Sequence, residues 1–150
     1  MDENIPTDPE EVFTTDATIT YPWFELELKK PAKIIGVEFS HHLQLNSWHD
    51  VHISAGITST SAVDGSTPTG LLTDLDLVAI FKGCNPCNPI QAGTVNYVTF
   101  SEPVVAKYIL VQANWNIAKH FTLSEMRIIE SKNFWNFWTS FNTINSRKTL

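Results

Sequence analysis

The stretch Pro22-Trp23-Phe24-Glu25-Leu26-Glu27-Leu28 alternates strictly between two faces. Phe24, Leu26 and Leu28 fall on one face; Trp23, Glu25 and Glu27 fall on the other. A period of two is the pattern of a strand with one buried and one wet face. Pro22 suits the first position of a strand, where no ladder N–H is needed. The segments that follow repeat the pattern. Lys33 to Ser40 sets Ile35, Val37 and Phe39 against Ile34, Gly36 and Glu38, after a turn at Lys29-Lys30-Pro31. Asp50 to Ala55 sets Val51, Ile53 and Ala55 inward and Asp50, His52 and Ser54 outward. Leu77 to Phe81 and Thr94 to Phe100 read as further short strands. Lys107 to Ala113 is nearly all apolar, as expected of a central strand buried on both faces. Phe121 to Glu130 closes the series, with Ser124, Met126 and Ile128 on one side.

The connections are long and polar. Residues 56–70 form a turn-rich loop with a tight turn at Asp64-Gly65. No helix of ordinary length fits before residue 130. Short strands separated by turn signals predict an all-β protein, a β-sandwich of antiparallel strands. The expected organisation is an acidic mobile arm over 1–20, a sandwich over 21–130 and an aromatic-rich tail over 131–150. In the tail Phe134, Phe137, Trp138, Phe141 and Ile144 recur at helical spacing, and Trp135 widens the stripe. Beside the basic Lys132, Arg147 and Lys148, that stripe suits a membrane interface. The competing readings are packing on the sandwich, packing on a second protomer, or an unfolded tail.

Composition narrows the function. The 150 residues suit one domain with a proper core. The net charge of −6, from 16 acidic against 10 basic residues, argues against a nucleic-acid binder, which carries a basic patch. No apolar run approaches the roughly 20 residues of a membrane-spanning helix. The acidic start lacks the apolar core of a signal peptide, so the chain either works inside the cell or has its leader elsewhere. No nucleophile elbow and no phosphate-binding glycine loop occur, which favours a binding module over an enzyme.

The order of segments resembles the discoidin, or F5/8 type C, family. Pro-Trp-Phe-Glu-Leu-Glu-Leu, then Ile-Ile-Gly-Val-Glu-Phe, a polar loop and Asp-Val-His-Ile-Ser-Ala-Gly follow that family's opening strands. Val-Ala-Lys-Tyr-Ile-Leu-Val-Gln and Phe-Thr-Leu-Ser-Glu-Met-Arg-Ile resemble its last two strands, closest to the fucose-binding lectin branch. The resemblance covers about residues 21–130. It implies a jelly-roll sandwich of about eight antiparallel strands, galactose-binding-like in fold, without catalysis. Loops at one end would bind sugars, phospholipid head groups or proteins, in an extracellular setting. In the fucose-binding branch a His and two Arg hold the sugar, and a calcium ion (Ca2+) sits nearby. Here the loop after the second strand carries His41-His42 in place of the family's Arg-containing signature, the only arginines are Arg127 and Arg147, and Ser124 stands where that branch has Cys.

In the loop that matches the family's ligand loop lie His41, His42, Asn46, Trp48 and His49. Trp115, Asn116 and His120 lie in a second loop. A sugar site needs an aromatic face for the apolar side of the ring and planar polar groups to bridge its hydroxyls. These residues supply both types; the alternative is that Trp48 and Trp115 cover the sandwich ends and the histidines are solvated. Cys84-x-x-Cys87 has the spacing of half a zinc site, and His49, Asp50 and His52 are close in sequence. A local Cys84–Cys87 disulfide is the competing reading, since the chain has no other cysteine. Asp74-x-Asp76 reads as a cation pair or as a solvated turn. The expected role is thus a lectin-like module for glycans or glycoproteins, able to form oligomers. A membrane-surface or adhesion module is the alternative.

Overall fold

The computed structural model describes residues 13–14, 20–40, 50–63, 66–82, 95–116, 122–123, 125–131 and 147–148. All regular structure among them is β: β1 (Phe13–Thr14), β2 (Trp23–Ser40), β3 (Val51–Gly56), β4 (Asp76–Phe81), β5 (Val95–Ala113), β6 (Thr122–Leu123), β7 (Glu125–Glu130) and β8 (Arg147–Lys148). Every pairing is antiparallel. The main ladder runs β4-β3-β5-β2-β7, while β8 pairs with β2 and β1 with β6. Of the tail, Arg147–Lys148 is extended against Phe24 and Glu25, and the aromatic stripe lies outside the described residues.

The alternating stretch continues into one strand rather than ending at Lys29-Lys30-Pro31. Glu27 pairs with Tyr108 and Ala32 with Ala106, so residues 28–31 lie opposite Lys107 alone. The expected turn is therefore a wide bulge, in which Pro31 has no ladder N–H to lose. Likewise 95–100 and 107–113, expected as separate strands, belong to one strand, β5. The corner divides the ladder into two groups. The first half of β2 and the second half of β5 run beside β3 and β4; the other halves run beside β7.

The two groups face each other. In a flat sheet β4 and β2 would be three strand spacings apart, about 14 Å. Instead the rings of Phe39 on β2 and Phe81 on β4 meet edge to face with centroids 5.0 Å apart. Phe24, Leu26, Val51, Ile53, Ile109 and Val111 from one layer share a single buried cluster with Val37, Phe39, Val98, Phe100 and Met126 from the other. The alternation expected for 33–40 is broken by a second register shift between Ile34 and Gly36. The bulge at Ile35 lets Ile34 join Val37 and Phe39 in the core, leaving Ile35 half-buried. Gly36 is required there, because a Cβ would lie 2.5 Å from the Val98 carbonyl oxygen.

The face expected to be wet is covered. Trp23 is 0% exposed and Glu25 3% exposed. The segments 57–63 and 66–75 lie over them, with Ala62, Leu72 and Leu75 packing on Trp23, Leu110 and Tyr108. Burial of this polar face is matched by hydrogen bonds. Glu25 accepts the Ser59 hydroxyl and the Thr60 N–H, the latter at 2.7 Å. Gln112 accepts the Leu72 N–H at 2.8 Å and donates to the carbonyls of Tyr21 (3.1 Å) and Gly70 (3.2 Å). Asp74 accepts the hydroxyls of Thr60 (2.9 Å) and Ser61 (2.8 Å). The Ser61 bond foremost, then that of Thr60, outweighs burial and lowers its pKa. Its carboxylate thus ties the covering segment together, while Asp76 is exposed on β4.

Two substitutions test this packing. Gly36→Ala should destabilise the fold by about 2 kcal/mol, lowering Tm by roughly 5 °C in calorimetry. Gln112→Leu should cost about 2–3 kcal/mol in urea denaturation, because it strands the Leu72 N–H and two carbonyls beneath the cover.

Candidate functional site

Because β2 and β5 turn back at the corner, both ends of each return to the same end of the sandwich. Trp23 pairs with Gln112, and Ser40 with Val95 and Glu125. Val51 pairs with Ala113 and Phe81. The Phe39–Phe81 contact brings the two layers' ends together. The connections 41–49, 83–94 and 114–121 all root here. Ligands of sandwich proteins are commonly held by such loops on a rigid scaffold.

At the roots sits Asp50. Its backbone is in the left-handed region, φ 52°, a conformation Asp tolerates better than most residues. Its N–H donates to the Lys82 carbonyl (3.3 Å), and its own carbonyl accepts the Asn114 N–H (2.9 Å). Its carboxylate accepts the Lys82 ammonium on Oδ1 (3.0 Å) and the Asn114 amide on Oδ2 (2.8 Å). His52 Nε2 lies 3.5 Å from Oδ1, on the outer face of β3. Burial pushes the Asp50 carboxyl up, but the bonds from Lys82 and Asn114, with the charges of Lys82 and His52, outweigh it and hold its pKa below the usual carboxylate value. The Lys82 side chain remains 72% exposed, and Asn114 and Asn116 are exposed as well. Carboxylate, amide and ammonium are the groups that bridge neighbouring hydroxyls.

Of the residues singled out in the sequence, Trp115 and Asn116 are described. Trp115 is 4% exposed and belongs to the core cluster, and its carbonyl accepts the Tyr21 N–H at 2.8 Å. Its ring therefore closes the end of the core rather than standing open. His41, His42, Asn46, Trp48, His49 and His120, with Cys84 and Cys87, lie outside the described residues. No group of three or more His, Cys, Asp or Glu side chains suited to a metal ion occurs among the described residues. Sequence reasoning missed Asp50, Lys82 and Asn114 as a unit. The available signal was their place: each is a polar residue at a junction between a strand and a long connection.

No family model and no curated protein matches the sequence. Solved structures do resemble the fold. A fucolectin (F-lectin) from striped bass (Morone saxatilis) serum superposes with a TM-score of 0.65 at 20% identity over 86% of this chain. The chain spans 40% of that fucolectin's length. The lectin domain of lectinolysin, solved with the Lewis B antigen, gives 0.60 at 16% identity, covering 87% of this chain and 81% of its own. The family 32 carbohydrate-binding module of Clostridium perfringens NanJ, solved with galactose, gives 0.53 at 17% identity, covering 84% and 82%. The chain has the all-β, galactose-binding-like sandwich fold of these lectins and carbohydrate-binding modules.

The Asp50 network carries a pH signature. Its folded-state pKa lies below the ordinary 3.8, so its contribution is complete above that pH and is lost as pH falls below it. An NMR titration following the Asn114 side-chain amide should show one acid transition below pH 3.8, absent in Asp50→Asn.

Proposed function

We propose that this chain is a non-catalytic carbohydrate-binding module, reading glycans or glycoproteins through the connections rooted around Asp50. The observation that supports it most is the gathering of three root segments at one end of a galactose-binding-like sandwich. Two of those segments carry Trp48 and Trp115, two of the five tryptophans of the chain, and four of its five histidines. That is the end at which a lectin reading needs its ligand groups. In this proposal Trp48 offers an aromatic face to the apolar side of a sugar ring. His41, His42, Asn46, His49, Asn116 and His120 bind hydroxyls, with Lys82 and Asn114 at the rim. Trp115 is the buried floor. The setting is extracellular, and the lectin domain and the carbohydrate-binding module of like fold, solved with Lewis B and with galactose respectively, set the first ligands to try.

A glycan array carrying Lewis b and terminal galactose structures tests the reading, with wild type and Trp48→Ala compared. Wild type should bind a restricted glycan set, and Trp48→Ala should weaken that binding at least about tenfold, equivalent to about 1.4 kcal/mol. Silence on every glycan, with liposome binding that disappears on deleting 131–150, would sink the lectin reading in favour of a membrane-surface module.

A further inference from the structure

We propose that Asp50 is a positioning residue, a double clamp that sets the roots of all three connections at the ligand end; the role in sugar binding rests on the reading above. The geometry is specific. Asp50 is itself the last residue of one root, and it holds each of the other two roots twice. Lys82 is held by its carbonyl through the Asp50 N–H and by its ammonium through Oδ1. Asn114 is held by its N–H through the Asp50 carbonyl and by its amide through Oδ2.

Both features of the residue are needed. The left-handed backbone, φ 52°, accompanies an N–H and a carbonyl bonded to two different neighbours. The carboxylate presents an acceptor to each of two donors. An asparagine would present one acceptor and one NH2, so either the Lys82 ammonium or the Asn114 amide would face another donor. Joining two neighbouring strands needs only backbone ladder bonds. The side-chain half of the clamp adds a fixed spacing between the roots, which is what a multi-loop site requires of its scaffold.

Amide hydrogen exchange on the full chain tests the clamp in peptides spanning 41–56, 77–94 and 107–121. Asp50→Gly keeps the left-handed backbone and deletes only the carboxylate. It should speed exchange about tenfold in all three peptides, whereas Asp50→Asn, which keeps one acceptor, should speed it in 41–56 and in only one of the other two. Lys82→Met should act only on 77–94 and Asn114→Ala only on 107–121. A change confined to 41–56 in Asp50→Gly overturns the proposal. Titration with Lewis b and with galactose separates the two readings. Weaker sugar binding at unchanged exchange also overturns the clamp, because Asp50 would then meet the sugar directly. If wild type binds neither sugar while the three-peptide pattern holds, the clamp stands and the glycan reading falls.

Discussion

The bulge at residues 28–31, opposite Lys107 alone, is the constraint on which the remaining structure depends. A strand as long as Trp23–Ser40 cannot bury both of its halves in one flat sheet of this size. By turning at the bulge, β2 and its partner β5 each serve two layers, and one continuous pairing supplies both walls of the core. The Phe39–Phe81 contact follows from that turn, as does the joining of inner faces into one cluster. So does the return of both ends of β2 and β5 to one end of the sandwich. The gathering of several connection roots at that end is a consequence of the corner, far from the corner itself.

The outer face of the first layer shows a second dependence. Trp23, Glu25 and Gln112 lie on one face of adjacent strands and are all buried. A buried carboxylate and a buried amide are costly unless hydrogen-bonded. The covering segment meets that need with Ser59, Thr60, Gly70 and Leu72, while Asp74 binds the segment to itself. Because Gln112 also holds the Tyr21 carbonyl, the cover is joined to the chain just before β2. Tyr21, in the left-handed region at φ 49°, in turn donates its N–H to Trp115. The cover and the end of the sandwich closed by Trp115 are thus parts of one hydrogen-bonded system.

What the residues themselves announced was the set of strands. Period-two alternation placed Phe24, Leu26, Val51, Ile53 and Ala55 in the core, as the structure has them, and the nearly all-apolar run placed 107–113 in the centre, where 109–113 are buried and Lys107 and Tyr108 half-buried. The polar connections around His41–His49 and Asn114–His120 were legible as candidate ligand loops, but the polar residues at their roots were not. Their grouping was not visible, because Asp50, Lys82 and Asn114 are far apart in the chain and meet only through the pairing of β3 with β4 and β5. Trp115 was readable as an aromatic suited either to a sugar or to an end of the core; its burial is decided by the strands that surround it.

The all-β class, most strand positions and the apolar side of most strands are legible along the chain, because they follow from local geometry and hydrophobic burial. Tertiary structure alone decided that Lys29-Lys30-Pro31 is a bulge, that Ile34 rather than Ile35 faces the core, and that Glu25 is covered. Each of these depends on a partner distant in the chain: Lys107, Val98 and the segment around Thr60. Alternation states that two faces of a strand differ, but only packing determines what lies on each. In the opening stretch, Phe24 and Leu26 were fixed by their own pattern, and Trp23 and Glu25 by what folds over them.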